Sequence, residues 1–147
     1  MACELGRVGI ETTLIPDSSI FAMMARTNKV IIQTETAFAS GTILARSGVK
    51  NLAMSAKHHS VTVVVLLELF KLSPKNIQEF NFPRELSDPK DIFPHSNPLV
   101  ERIIVENPKY DLISSEYVDL FVTSLGGFTA SGLYRILDEL YNKEDIK

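Results

Sequence analysis

Lys29-Val-Ile-Ile-Gln-Thr34, a small-residue loop around Ser40-Gly41, a helical stretch from about Ser47 to His58, and Val61-Thr-Val-Val-Val-Leu-Leu67 follow one another in this chain. Together they read as a strand, a crossover helix and a second strand, the unit from which parallel sheets are built. In the helical part Val49, Leu52, Ala53 and Ala56 recur at the spacing that gathers apolar side chains on one face. Lys50, Asn51, Ser55 and Lys57 fall mostly on the other. Val61–Leu67 is apolar without alternation, the pattern of a strand covered on both sides, and is expected at the centre of the sheet.

Upstream, Ile10-Glu-Thr-Thr-Leu-Ile15 carries the β-branched residues that favour a strand, and Pro16 ends it. Asp17 and Ser18 supply acceptors for the free amides of a helix start. Ile20, Phe21, Met23 and Met24 then form an apolar face up to Arg26. Met1–Gly9 has no clear period.

Downstream, residues 73–98 hold five of the 7 prolines. Proline fixes φ and removes a donor, so this segment is expected as a long loop, with one short helical turn near Asn76–Phe80. Arg102-Ile-Ile-Val105 and Leu120-Phe-Val-Thr123 read as strands, and Gly126-Gly127 as a turn. A final helix, capped by Thr129 or Ser131, carries Leu133, Ile136, Leu137, Leu140 and Tyr141 on one face, and the charged last residues are expected to fray. Strands alternating with helices give an α/β fold with a mostly parallel sheet flanked by helices.

At 147 residues the chain is one domain's worth, enough to bury roughly 68–70% of its unfolded surface. Its formal net charge of −3 and its lack of a basic stripe argue against direct nucleic-acid binding, which needs clustered Lys and Arg at the phosphates. The lone cysteine, Cys3, forms no internal disulfide and fits a reducing compartment. Glu4 and Arg7 interrupt any signal-peptide pattern, and Val61–Leu67 is too short to span a bilayer. A cytoplasmic protein without membrane contact is expected.

Neither G-x-G-x-x-G nor a Walker A sequence is present. Gly41 and Gly48 would still let backbone amides approach an anion at the start of the Ser47–His58 helix, with Arg46 and Lys50 adding charge. The plainer role for both glycines is a tight turn. Asp17 falls where a strand meets a helix, at the edge where open α/β sheets place ligands, or serves only as an N-cap. Glu35 follows the first strand of the unit and is placed to face the same edge; its plainer role is a solvated loop carboxylate. His58-His59 invites a metal, but adjacent helical residues diverge by about a hundred degrees. The pair is expected to end the helix, where imidazole suits the negative end of the dipole. No metal site, no cofactor and no catalytic residue is expected.

The strings Ile10-Glu-Thr-Thr-Leu-Ile-Pro-Asp-Ser-Ser-Ile-Phe-Ala-Met-Met-Ala-Arg26 and Asn28-Lys-Val-Ile-Ile32 resemble the regulatory subunits of eukaryotic translation initiation factor 2B, the guanine-nucleotide exchange factor for initiation factor 2. Ala56-Lys-His-His-Ser60, Phe70-Lys-Leu-Ser-Pro74, Leu120-Phe-Val-Thr-Ser-Leu-Gly-Gly127 and Leu133-Tyr-Arg-Ile-Leu-Asp-Glu-Leu-Tyr141 are similar to the β subunit in particular. The resemblance implies a Rossmann-like three-layer domain over residues 1–147, with the family's N-terminal helical domain and the domain's first strand outside it. It implies a non-catalytic role, with the sister subunits and initiation factor 2 as partners and a homo- or hetero-oligomeric state. The same superfamily contains methylthioribose-1-phosphate and ribose-1,5-bisphosphate isomerases. Their catalytic Asp aligns with Glu35 here, and their phosphate-facing Asn-Lys-Ile-Gly-Thr with Ala45-Arg-Ser-Gly-Val49, which lacks the threonine hydroxyl. The resemblance therefore leaves Asp17, Ser18, Glu35, Gly41, Arg46, Gly48 and Lys50 as a residual phosphate or ligand pocket without an acid/base pair.

Overall fold

The computed structural model describes residues 1–75, 85–94 and 103–141. In chain order its elements are α1 (Ala2–Arg7), α2 (Ile20–Met24), β1 (Lys29–Gln33), β2 (Thr36–Phe38), β3 (Ile43–Arg46), α3 (Val49–His58), β4 (Thr62–Leu66), β5 (Leu72–Ser73), β6 (Tyr110–Ile113), β7 (Leu120–Thr123), β8 (Gly126–Phe128) and α4 (Ala130–Leu140). The expected α/β architecture forms. The main sheet has the order β1-β4-β7-β8, with β1, β4 and β7 parallel and β8 antiparallel at the edge. β4 is central, as its unbroken apolar run requires. Lys29 stands opposite Thr62, and Val65 lies between Ile32 and Phe121.

A second sheet of order β5-β2-β3-β6 was not foreseen. The small-residue loop around Ser40-Gly41 is the tip of a β2–β3 hairpin, with Thr36 opposite Leu44. Phe38 N–H donates to Thr42 O at 2.9 Å and Gly41 N–H to Phe38 O at 2.8 Å. Gly41 takes the left-handed position (φ +76°) that closes a three-residue hairpin loop. Strands this short carry too few residues to display a period. β6 pairs with β3, Ile43 opposite Ile113.

Core residues of both sheets pack with the helices in one cluster. Val30, Ile32, Val63, Val65 and Phe121 meet Ala53 and Ala56 of α3 and Leu133, Ile136 and Leu137 of α4. Each fully buried large side chain there contributes about 1.5–3 kcal/mol relative to exposure. The small faces of Ala53 and Ala56, both 0% exposed, let α3 approach closely. The helix ends as its His pair indicates: His58 is the last residue and His59 the C-cap. Val61 N–H then donates to Ala56 O at 2.8 Å, and Ser60 adopts φ +55°, the left-handed position of a Schellman ending.

Other expectations are corrected. Ile10–Ile15 forms no strand; the segment is irregular, with Leu14 85% exposed, because no strand among the described residues pairs with it. Asp17 opens a 3-10 turn, Asp17–Ser19, with Pro16 at the capping position and no side-chain cap bond. Ile103–Val105 is irregular rather than a strand, and Arg102 lies outside the described residues, as does the turn expected near Asn76–Phe80. The β7–β8 turn falls at Ser124-Leu125, not at Gly126-Gly127. Thr123 fixes it there: its hydroxyl donates to Gly126 O and accepts from Leu125 N–H, both at 3.1 Å. Thr129 occupies the N-cap of α4 without a side-chain bond to a helix amide. Leu140 is 48% exposed, while Tyr141 donates its hydroxyl to Leu72 O at 3.0 Å.

Candidate functional site

β1 and β4 run parallel, so both end at one edge, where Gln33 stands opposite Leu66. That edge is where an open α/β sheet presents ligands. The chain leaves β1 through Thr34, 2% exposed, whose hydroxyl lies 2.8 Å from Thr36 O and 2.9 Å from Leu44 O. This buried hydroxyl ties the end of β1 to the β2–β3 hairpin. Glu35 N–H donates to Leu44 O at 2.9 Å, which directs the Glu35 side chain outward.

Glu35 Oε1 then lies 3.6 Å from Arg46 Nε. Both side chains are solvated, so the pair contributes well under about 1 kcal/mol. A cleft of about 550 Å³ opens beside it, lined by Ile31, Gln33, Glu35, Arg46, Val49 and Leu66. Its character is apolar with one carboxylate and one guanidinium on the rim.

The start of α3 adjoins this cleft through Val49, and its amides are already engaged. Asp111 Oδ2 accepts from Gly48 N–H at 2.8 Å and from Lys50 N–H at 3.1 Å. Ser47 N–H donates to Lys109 O at 3.0 Å, so the β6 approach closes the whole turn. A carboxylate thus sits where free amides and the helix dipole favour an anion. Gly48 holds the N-cap at φ +94°, aiming its N–H at that carboxylate. Lys109 itself donates through Nζ to Glu85 at 2.9 Å, and this hydrogen bond raises its pKa above the ordinary lysine value.

The expected pocket residues therefore separate into groups. Glu35 and Arg46 come together on the cleft. Gly48 and Lys50 meet at the adjoining turn, on Asp111. Asp17 and Ser18 are exposed in their 3-10 turn. Gly41 is at the far end of the hairpin, packed on Ala130 and Ser115. His58 and His59 pack at tilted angles against the Phe21 ring, with centroids at 5.1 and 4.9 Å, and among the described residues no cluster of His, Cys, Asp or Glu forms a metal set. No helix among them is long and apolar enough to cross a membrane. Sequence reasoning missed Thr34 and Asp111. Nothing local marks Asp111 as the cap of a helix that begins more than sixty residues earlier.

The model of the Initiation factor 2 subunit family (IF-2B) matches residues 1–130. The chain is similar to the translation initiation factor eIF2B subunit beta of Schizosaccharomyces pombe, 40% identical over 146 residues, covering 99% of this chain and 37% of that protein. It is 28% identical over 136 residues to the ribose 1,5-bisphosphate isomerase of Archaeoglobus fulgidus, covering 92% of this chain and 43% of the isomerase. The crystal structure of the tetrameric eIF2B-beta2-delta2 complex from C. thermophilum contains a chain with the same fold. Its TM-score is 0.71 at 23% identity, over 95% of this chain and 40% of that one. This chain thus spans well under half the length of the relatives it matches.

Proposed function

The chain belongs to the Initiation factor 2 subunit family, and from that premise we propose that it is the Rossmann-like domain of a β-like regulatory subunit of the eIF2B exchange factor. Its role is non-catalytic: it assembles with sister subunits in the cytoplasm, contacts initiation factor 2 and takes part in sensing that factor's phosphorylation. The helical domain of the family lies outside this span. The observation that carries the reading is the 40% identity to the fission yeast beta subunit across 99% of the chain. Exposed apolar side chains on α4 and in the β7–β8 turn support it, with Tyr134 63%, Leu140 48% and Leu125 58% exposed, since such residues gain by burial against a partner. Native mass spectrometry of the chain mixed with an eIF2B delta subunit should show a joint assembly. Its absence at tens of micromolar of each would overturn the assembly role.

A second reading, a sugar-phosphate isomerase or sugar-phosphate-binding relative, is favoured by the 28% identity to ribose 1,5-bisphosphate isomerase. The cleft edge bears against it. Proton transfer needs an acid and a base in reach of the sugar, and Glu35 here faces Arg46 in solvent. The Glu35, Arg46, Gly48 and Lys50 edge then acts at most as a residual anion or ligand pocket, with Asp17, Ser18 and Gly41 outside the cleft lining. Incubation with ribose 1,5-bisphosphate and with 5-methylthioribose 1-phosphate should give no product; turnover of either sinks the non-catalytic reading.

A further inference from the structure

The chain has 7 prolines, and Ser73 is the one serine or threonine that stands immediately before any of them. It belongs to Phe70-Lys-Leu-Ser-Pro-Lys75, whose hydroxyl and two lysines the family role leaves unused. β5 lies at the outer edge of the second sheet, with Ser73 opposite Phe38 of β2. Pro74 brings no N–H, so the ladder cannot continue through it, and the residue before a proline is held extended. Leu72 is 1% exposed and anchors the strand, while Ser73 is partly exposed and Lys75 fully so. The Ser73 hydroxyl accepts from Lys75 N–H at 3.3 Å. Both residues line a cavity of about 540 Å³ that Lys71, Glu35 and Tyr141 also line.

We infer that Ser73 is a phosphorylation site for a proline-directed serine kinase, and that Lys71 and Lys75 receive the phosphate. In the transfer the γ-phosphoryl group of ATP moves to Ser73 Oγ. The Oγ–P bond forms, the bond from the γ-phosphorus to the bridging oxygen breaks, ADP departs, and the hydroxyl proton passes to the kinase's base. The product carries a charge of about −1.5 to −2 and three acceptor oxygens, and the cavity supplies donors for them. Lys75 already directs its N–H at Oγ and adds an exposed ammonium. Lys71 Nζ is held at 2.9 Å by Glu68, a single exposed carboxylate that a phosphate dianion displaces. Glu35, the like charge in this cavity, is drawn toward Arg46 at 3.6 Å. The site adjoins the Leu72 carbonyl that accepts from the Tyr141 hydroxyl at 3.0 Å, so the phosphate marks the contact between β5 and the end of α4. The inference rests on the motif and the cavity, and not on the proposed role in the exchange factor.

The test incubates the folded chain with ATP, magnesium and a cyclin-dependent kinase, and separately with a mitogen-activated protein kinase. Phosphopeptide mass spectrometry is expected to find Ser73 as the main site, and Ser73→Ala should remove nearly all incorporation. In the phosphorylated chain, the phosphorus NMR signal is then followed against pH. Two lysines at the phosphate should lower its second ionisation below the usual value of about 6, by about half a unit or more. Lys71→Gln should return part of that shift. Absence of phosphate on Ser73 with both kinases overturns the inference. So does phosphate that enters a synthetic 66–80 peptide but not the folded chain, because the fold then hides the hydroxyl. An ionisation that stays near about 6 overturns the lysine seat.

Discussion

Gly41 and Gly48 look alike in the sequence and share a left-handed backbone, at φ +76° and +94°, yet they solve different problems. Gly41 is a packing glycine. A Cβ there would come within 2.5 Å of Ala130 Cβ and 3.1 Å of Ser115 Cβ, so the hairpin tip touches the start of α4 only because no side chain intervenes. Gly48 is an orienting glycine. A Cβ there meets nothing within 4 Å, and the residue serves by turning its N–H toward Asp111. A sequence pattern in which both glycines cradle one anion merges two unrelated roles.

The sharpest way to break that distinction is Gly41→Ala. It combines left-handed strain of about 1–2 kcal/mol with overpacking of about 1–3 kcal/mol, because Ala130 Cα is backbone and lies 3.1 Å away. A loss of about 3 kcal/mol or more in urea unfolding is expected; a loss below about 1 kcal/mol would mean the hairpin tip is free to move off α4. Next in size is Asp111→Ala, which strips the acceptor from two amides at the start of α3. A loss of about 2 kcal/mol is expected, with Asp111→Asn recovering part of it. If added sulfate restores the stability of Asp111→Ala but not that of Gly41→Ala, the vacated seat is an anion site and the two glycines are functionally separate.

Much of this architecture was legible because burial imposes periods. The α3 face of Ala53 and Ala56 and the α4 face of Leu133, Ile136 and Leu137 were readable at helical spacing, and the apolar run of β4 placed it at the centre. The β2–β3 hairpin was not legible. Thr36–Phe38 and Ile43–Arg46 are too short for alternation to register, and their stability comes from partners β5 and β6 that lie far along the chain. Ile10–Ile15 shows the opposite failure: β-propensity was present, and the pairing that would realise it is not. At the candidate site, Glu35 was legible from its place just after the first strand of the unit and Arg46 from its charge beside Gly48. Asp111 was invisible, since a long-range cap leaves no mark at either end of its bond.

Gly48→Ala isolates the orienting role. With open space around the Cβ, only backbone strain opposes the substitution, so a loss of about 1 kcal/mol is expected. The combination with Asp111→Ala should be less than additive, since both act on one turn. Additive losses would show that Gly48 does not serve the Asp111 bond.

The smallest effect tests the same backbone region from the other end of α3, where the sequence places a side chain and not a glycine. Ser60 holds φ +55° beyond the His59 C-cap, with its N–H donating to Lys57 O at 3.2 Å. The Ser60 hydroxyl is exposed and is not required for the Val61–Ala56 bond that closes the helix. Removing the Cβ relieves left-handed strain, while the added freedom of glycine in the unfolded chain offsets part of the gain. Ser60→Gly is therefore expected to stabilise the domain by about 0.5–1 kcal/mol, raising its melting temperature by about 2–4 °C. Were Ser60→Gly to destabilise, the left-handed residues of this fold would not share one strain cost, and the magnitudes assigned to Gly41 and Gly48 would have to rest on contacts alone.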